Sequence, residues 1–149
     1  MTLSDDIRIR RGRRTDYPAL AALCAWPLRD GSPARSVRLY RRTVADLAYD
    51  LYVAEDGERP IGVVAVSYVR TLRLGGQRAT LEELYVDPER RGAGVGRRLL
   101  ELAVRRAAVR GARAFEARPT DEACERFLGH VGFEPAGSRY SRTLGGQRQ

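Results

Sequence analysis

The 149-residue chain predicts an α/β fold of the α+β type, a mixed but mostly antiparallel sheet flanked by about four helices. Three observations carry that prediction. Leu51–Glu55 and Ile61–Val69 are apolar runs joined by Asp56-Gly57, a turn pair of hairpins. The stretch LEELYVDPERRGAGVGRRLL, Leu81–Leu100, passes from strand through a glycine-rich loop into an amphipathic helix. Shorter helical stretches open at Thr, Asp and Pro, the residues that cap and start helices. The length suits one domain, taken as about residues 5–145.

In chain order, Ile7–Arg11 alternates apolar and basic residues, as a short first strand would. Thr15-Asp16-Tyr17-Pro18 is a helix entry with Thr15 or Asp16 as cap, and Ala19–Ala25 continues it. Trp26-Pro27 ends that helix, because a residue before proline avoids helical backbone angles. Leu28–Ser36 reads as a polar loop, and a second helix starts at Ser36 or a neighbour and reaches about Tyr49. The run PIGVVAVSYV is apolar enough for a central strand covered on both faces. A turn at Gly75-Gly76 leads into the strand ending Leu84-Tyr85-Val86, which Asp87-Pro88 stops. Val95, Leu99, Leu102, Ala103 and Ala107 then recur at helical spacing. Ala114–Ala117 is a short strand, and Pro119-Thr120-Asp121 caps a helix to about His130. Phe133–Leu144 alternates loosely, as a final hairpin about Gly137 would, and the tail from Gly145 frays.

Composition narrows the function classes. All 27 basic residues are arginine against 19 acids, a net charge of +8, with a pI near 10.3. The arginines are spread along the chain among acids and do not alternate with aromatics. A solvated arginine-rich surface with some anion-binding arginines is favoured over a nucleic-acid track. No apolar run approaches the roughly 20 residues of a membrane span, and the first residues carry no signal-peptide core, so the expected location is cytoplasmic. Cys24 and Cys124 lie far apart and are expected as reduced thiols; with His130 the one histidine, no metal site is expected.

The segment from Val86 to Leu99 carries the chemistry. Gly92, Gly94 and Gly96 let the backbone approach a ligand closely. The unpaired N–H groups and positive dipole end of the following helix favour an anion there, and Arg90, Arg91, Arg97 and Arg98 add charge. The frame fails the dinucleotide pattern G-x-G-x-x-G, since the third position is Arg97. Without lysine the chain holds no P-loop either. The pattern present is V-x-P-x-x-R-G-x-G-x-G-x-x-L, which resembles the coenzyme A loop of the GNAT superfamily of N-acetyltransferases.

That resemblance covers about residues 5–144 and implies acetyl-CoA as acyl donor. It implies the pyrophosphate on the backbone of Arg91, Gly92, Ala93, Gly94, Val95, Gly96 and Arg97, and the pantetheine arm along Leu84, Tyr85 and Val86. It also places the acceptor side on the two early helices, with Trp26, Arg29, Asp30, Arg35, Arg38, Tyr40, Arg41 and Arg42; packing or surface exposure is the default for each alone. Transfer needs a polarised thioester carbonyl, a base and a route for the leaving thiolate. A backbone N–H at Leu84–Val86 can polarise the carbonyl if a bulge or splay leaves it unpaired. Glu82 and Glu83 are the candidate bases, but neighbouring strand residues point to opposite faces unless a bulge intervenes. In the branch resembling polyamine and small-amine acetyltransferases, the Glu82 position is the base and an acid at Glu83 anchors the cationic amine.

The family's fourth helix commonly reads N-x-x-A-x-x-F-Y-x-x-x-G-F, its tyrosine protonating the thiolate. Aligned on Phe127 and Gly132-Phe133, this chain has Asp121, Cys124 and Leu128 instead of Asn, Ala and Tyr. Leucine donates no proton, so Tyr140, Tyr85 or water substitutes, or the thiolate leaves unaided. Cys124 is read as a packing thiol and His130 as a solvated imidazole. The implied reaction is acetyl transfer to a primary amine, small or on a peptide, by direct attack. The two glutamates favour a cationic acceptor and the early arginines an acidic one. A non-catalytic acyl-CoA sensor on the same fold and, further off, a basic nucleic-acid-associated protein are the other classes; a homodimer stays open.

Overall fold

In the computed structural model, which describes residues 6–26 and 33–144, the chain forms two compact units that divide after Arg118. The first holds a five-stranded sheet in the order β1-β2-β3-β4-β5, with strands Ile7–Arg11, Tyr49–Asp56, Arg59–Thr71, Gly76–Val86 and Ala114–Glu116. Successive pairs from β1 to β4 are antiparallel, and β5 lies parallel to β4. Helices α1 (Tyr17–Cys24), α2 (Pro33–Ala45) and α3 (Val95–Val109) belong to the same unit. The second unit holds α4, Glu122–His130.

β3 is covered on both faces, as its unbroken apolar run predicts. Val64, Val66 and Tyr68 join one core with Val95, Leu99, Ala103 and Ala107 of α3. Val63 and Ala65, pointing the other way, join a second with Leu20 of α1 and Tyr40 of α2. Tyr40 is a packing residue whose hydroxyl donates to the Arg13 carbonyl at 2.8 Å. Leu100 is fully buried on α3, whereas Leu102 is half-buried. One turn of α3 thus buries a wider face than the expected stripe.

Several boundaries differ from expectation for local reasons. α1 ends at Cys24, and Ala25 takes a left-handed conformation with φ 49°. Asp16 stands at its N-cap position without capping it; its carboxylate accepts the Arg13 N–H at 2.7 Å and the Arg10 guanidinium at 2.8 Å. α2 starts at Pro33, earlier than Ser36, since proline suits a first helical position. It stops at Ala45 because the Asp46 carboxylate draws the Ala48 N–H into a turn at 2.8 Å, and Tyr49 already belongs to β2. The final hairpin expected in Phe133–Leu144 is not formed. Residues 134–144 are all exposed, so their loose alternation has no buried face to organise it. The Asp121 cap of α4 is as expected, accepting the Cys124 N–H at 2.7 Å.

Candidate active site

The glycine loop lies between β4 and α3. Val86 ends β4, the Asp87 N–H reaches back to the Ile61 carbonyl at 2.8 Å, and Pro88–Arg90 form a 3-10 turn. Gly92 and Gly94 follow with φ of 83° and 84°, a conformation that side chains with a Cβ resist. α3 opens at Val95 with Gly94 as N-cap, so Gly96 lies in its first turn. The first intrahelical bond runs from the Arg98 N–H to the Gly94 carbonyl at 3.0 Å. The amides of Val95, Gly96 and Arg97 therefore have no partner within the helix and face its N-terminal end.

The arginines of the motif are partly committed. Arg91 donates from Nε to the Val86 carbonyl at 3.1 Å and lies over the Tyr85 ring, 5.3 Å from its centroid. Arg97 pairs with Glu101 at 2.9 Å. An anion at this loop would thus meet the backbone amides first.

β4 is also open along one edge. Its ladder with β5 covers Arg78, Thr80 and the residue between, and among the described residues no strand pairs with Leu81–Val86 on that side. A splayed strand edge running into a helix N-terminus fits an extended arm ending in a pyrophosphate. The residues present thus fit acetyl-CoA, with Leu84–Val86 along the arm and Arg91–Arg97 around the phosphates.

The β3–β4 register settles how the two glutamates face. Ala65 pairs with Glu83 but Val66 pairs with Leu81, so Glu82 is an extra residue in a bulge. Leu81, Leu84 and Val86 pack on the α3 side, and Tyr85 packs on the α1 side. Glu82 and Glu83, between two leucines of one face, both turn to the other. Glu83 accepts the Trp26 indole N–H at 3.1 Å. Glu82 accepts the hydroxyl of Ser67, a buried residue of β3 on that same face, at 2.6 Å. The spacing Leu-Glu-Glu-Leu puts two positions between apolar residues instead of one, which is compatible with a bulge but does not by itself fix one.

Aromatic side chains surround this face. Tyr17, Trp26 and Tyr40 form a cluster with centroids 5.5–6.5 Å apart. Burial first, then the Glu83 charge, pushes the Cys24 thiol up to about 12, so it stays protonated and non-nucleophilic. Burial, then the Glu82 and Asp46 charges, raise the Tyr49 phenol. Tyr49 pairs with Ser67 across β2 and β3, so Tyr49, Ser67 and Glu82 cross the sheet in a row. Sequence reasoning missed Ser67 and Tyr49, which no motif marks.

The remaining expected residues are scattered. Arg35, Arg38, Arg41 and Arg42 are exposed on α2, and Arg29 and Asp30 lie outside the described residues. In the second unit Tyr140 is 94% exposed, Leu128 is buried, Cys124 half-buried and His130 exposed. Both cysteines are free, and the described residues hold no group of His, Cys, Asp and Glu that would take a metal ion. Among them, no helix is long and apolar enough to cross a membrane.

Residues 17–133 match the model of the acetyltransferase (GNAT) family. The chain belongs to that family. No curated protein sequence matches it. Among solved structures it is similar to a transcriptional regulator from Bacillus halodurans C-125, with a TM-score of 0.82 at 25% identity over 93% of this chain and 99% of that one. A "predicted acetyltransferase with acetyl-CoA" from Clostridium acetobutylicum gives 0.78 at 16% identity, over 93% and 96% of the two chains. An aminoglycoside acetyltransferase from an uncultured soil metagenomic sample, in complex with sisomicin, gives 0.77 at 14% identity over 95% and 98%. These last two likenesses concern the GNAT fold alone.

Proposed function

We propose that this GNAT protein transfers an acetyl group from acetyl-CoA to a primary amine of a cationic acceptor by direct attack. The observation that carries this reading is the β4 bulge, which turns Glu82 and Glu83 to one face beside an open strand edge. Acetyl-CoA supplies the acetyl group, activated as a thioester. Amides of Val95–Arg97 hold its phosphates, and a free N–H in Leu84–Val86 polarises the carbonyl. Glu82 takes the proton of the attacking amine directly or through water, with Oε1 held by Ser67. Glu83, beside the Trp26 indole, anchors a positive charge of the acceptor. Protonation of the leaving thiolate falls to Tyr85 or water, or is dispensable, given a thiol pKa of about 8.5.

The second reading is a sensor that binds acyl-CoA without turnover. Leucine at position 128 and the likeness to a protein described as a transcriptional regulator favour it. Calorimetry with acetyl-CoA, followed by thiol release against a panel of amines, separates the two. Binding with amine-dependent release supports the enzyme, binding without release the sensor, and no binding defeats both.

A further inference from the structure

The glycine loop is tied down from outside its own motif. Asp87, 7% exposed, accepts the Glu89 N–H at Oδ1 (3.0 Å) and meets Arg59 of β3 at Oδ2 (3.3 Å). Its carbonyl accepts the Arg90 N–H at 2.8 Å, so Asp87 caps the start of the 3-10 turn with both its side chain and its backbone. Arg90 reaches in the opposite direction, to the carboxylate of Asp56 at the end of β2. Asp56 and Arg59 pair across the β2–β3 hairpin. The two ion pairs are therefore reciprocal: an arginine of the hairpin holds an acid of the loop, and an arginine of the loop holds an acid of the hairpin.

We propose that this clamp positions the coenzyme loop, making Asp56, Arg59, Asp87 and Arg90 positioning residues for acetyl-CoA affinity. The inference rests on the reading that Arg91–Arg97 hold the pyrophosphate. Bare ion pairs at a surface contribute little, but these fix where the loop leaves the sheet. Backbone amides bind an anion only when aimed within a fraction of an ångström. The four residues come from two segments that the motif does not join, which is why the hairpin carries no sequence mark of a role in binding.

Charge gives the test its sign. Asp87 and Asp56 are negative groups near a site for a polyanion. If they acted only as charges, Asp87→Asn and Asp56→Asn would tighten acetyl-CoA binding. If they act as a clamp, both loosen it. Calorimetry is expected to give an acetyl-CoA Kd raised about threefold to tenfold in each single variant, with thermal unfolding still cooperative. Combining the two should cost less than the product of the single effects if both act through one loop position. Unchanged or tighter binding in folded Asp56→Asn, a change at a hairpin end that leaves the loop sequence intact, overturns the clamp. Failure of the unmodified protein to bind acetyl-CoA defeats the functional reading instead.

Discussion

Glu82 and Glu83 are adjacent in the chain yet held by different partners, and that difference assigns their tests. Glu82 is exposed and bound by one hydroxyl, whereas half-buried Glu83 is bound by an indole. Glu82→Gln keeps the shape and removes the proposed base, so turnover should fall about 100-fold or more with acetyl-CoA affinity unchanged. Glu83→Gln removes a charge proposed to bind the acceptor in ground and transition state alike, so it should raise the acceptor KM more than it lowers kcat. Ser67→Ala frees the Glu82 carboxylate to rotate. Its expected cost is smaller, about tenfold in turnover, and Ser67→Thr should recover most of it. Thiol release with the amine that the panel identifies measures all four. A Glu82→Gln enzyme as active as the parent would remove Glu82 from the chemistry, and equal losses of kcat in both glutamate variants would remove the division of roles.

At the scale of elements, the junction of β3, β4 and α3 decides whether the loop can form. Gly62 of β3 is where the helix meets the sheet: a Cβ there would stand 3.1 Å from Leu99 Cδ1 and 3.1 Å from the Tyr85 carbonyl oxygen. The leucine tip can yield, but the oxygen belongs to β4 itself. Gly62→Ala should therefore destabilise the fold by about 1–3 kcal/mol in denaturant unfolding and weaken acetyl-CoA binding, because Val95, 3.5 Å away, opens α3. A variant as stable as the parent would show that the junction has slack. This junction was legible in the sequence. The apolar run of β3, the Asp56-Gly57 turn and the strand–glycine–helix order each had its own periodicity or turn chemistry. The end of α2 was not, because a side-chain turn at Asp46 interrupts a sequence that could continue as helix. Nor was the proposed hairpin at Gly137, since alternation predicts a strand only where one face is buried. In the site, the loop was readable and the facing of Glu82 was not. A bulge is a property of two paired strands, and Ser67, the residue that reveals it, lies 15 positions away.

For the whole molecule, a net charge of +8 leaves few acids to hold an arginine-rich chain together, and the buried ones matter most. Glu55, 3% exposed, and Asp16, 8% exposed, share Arg10, which bonds Asp16 at 2.8 Å and Glu55 at 2.9 Å. The Arg8 hydrogen bond, reinforced by Arg10 against the opposing effect of burial, holds the Glu55 carboxyl below its ordinary range. Burial pushes the Asp16 carboxyl up, but the Arg10 guanidinium and the Arg13 N–H outweigh it, so it too stays low. A carboxyl lowered in the folded state binds fewer protons there than in the unfolded chain. Its stabilisation is complete above the unfolded carboxylate range and is lost as pH falls through the folded value. The melting temperature should thus be flat from about pH 6 to 8 and fall steeply below about pH 4. Arg10→Ala strands the buried Asp16 carboxylate and leaves Glu55 to Arg8 alone, which should cost about 3–5 kcal/mol at neutral pH. It should also make the acid limb shallower, because Asp16 would no longer be held low by a guanidinium and Glu55 would keep only Arg8. An acid limb of undiminished steepness in that variant would place the pH dependence elsewhere in the molecule.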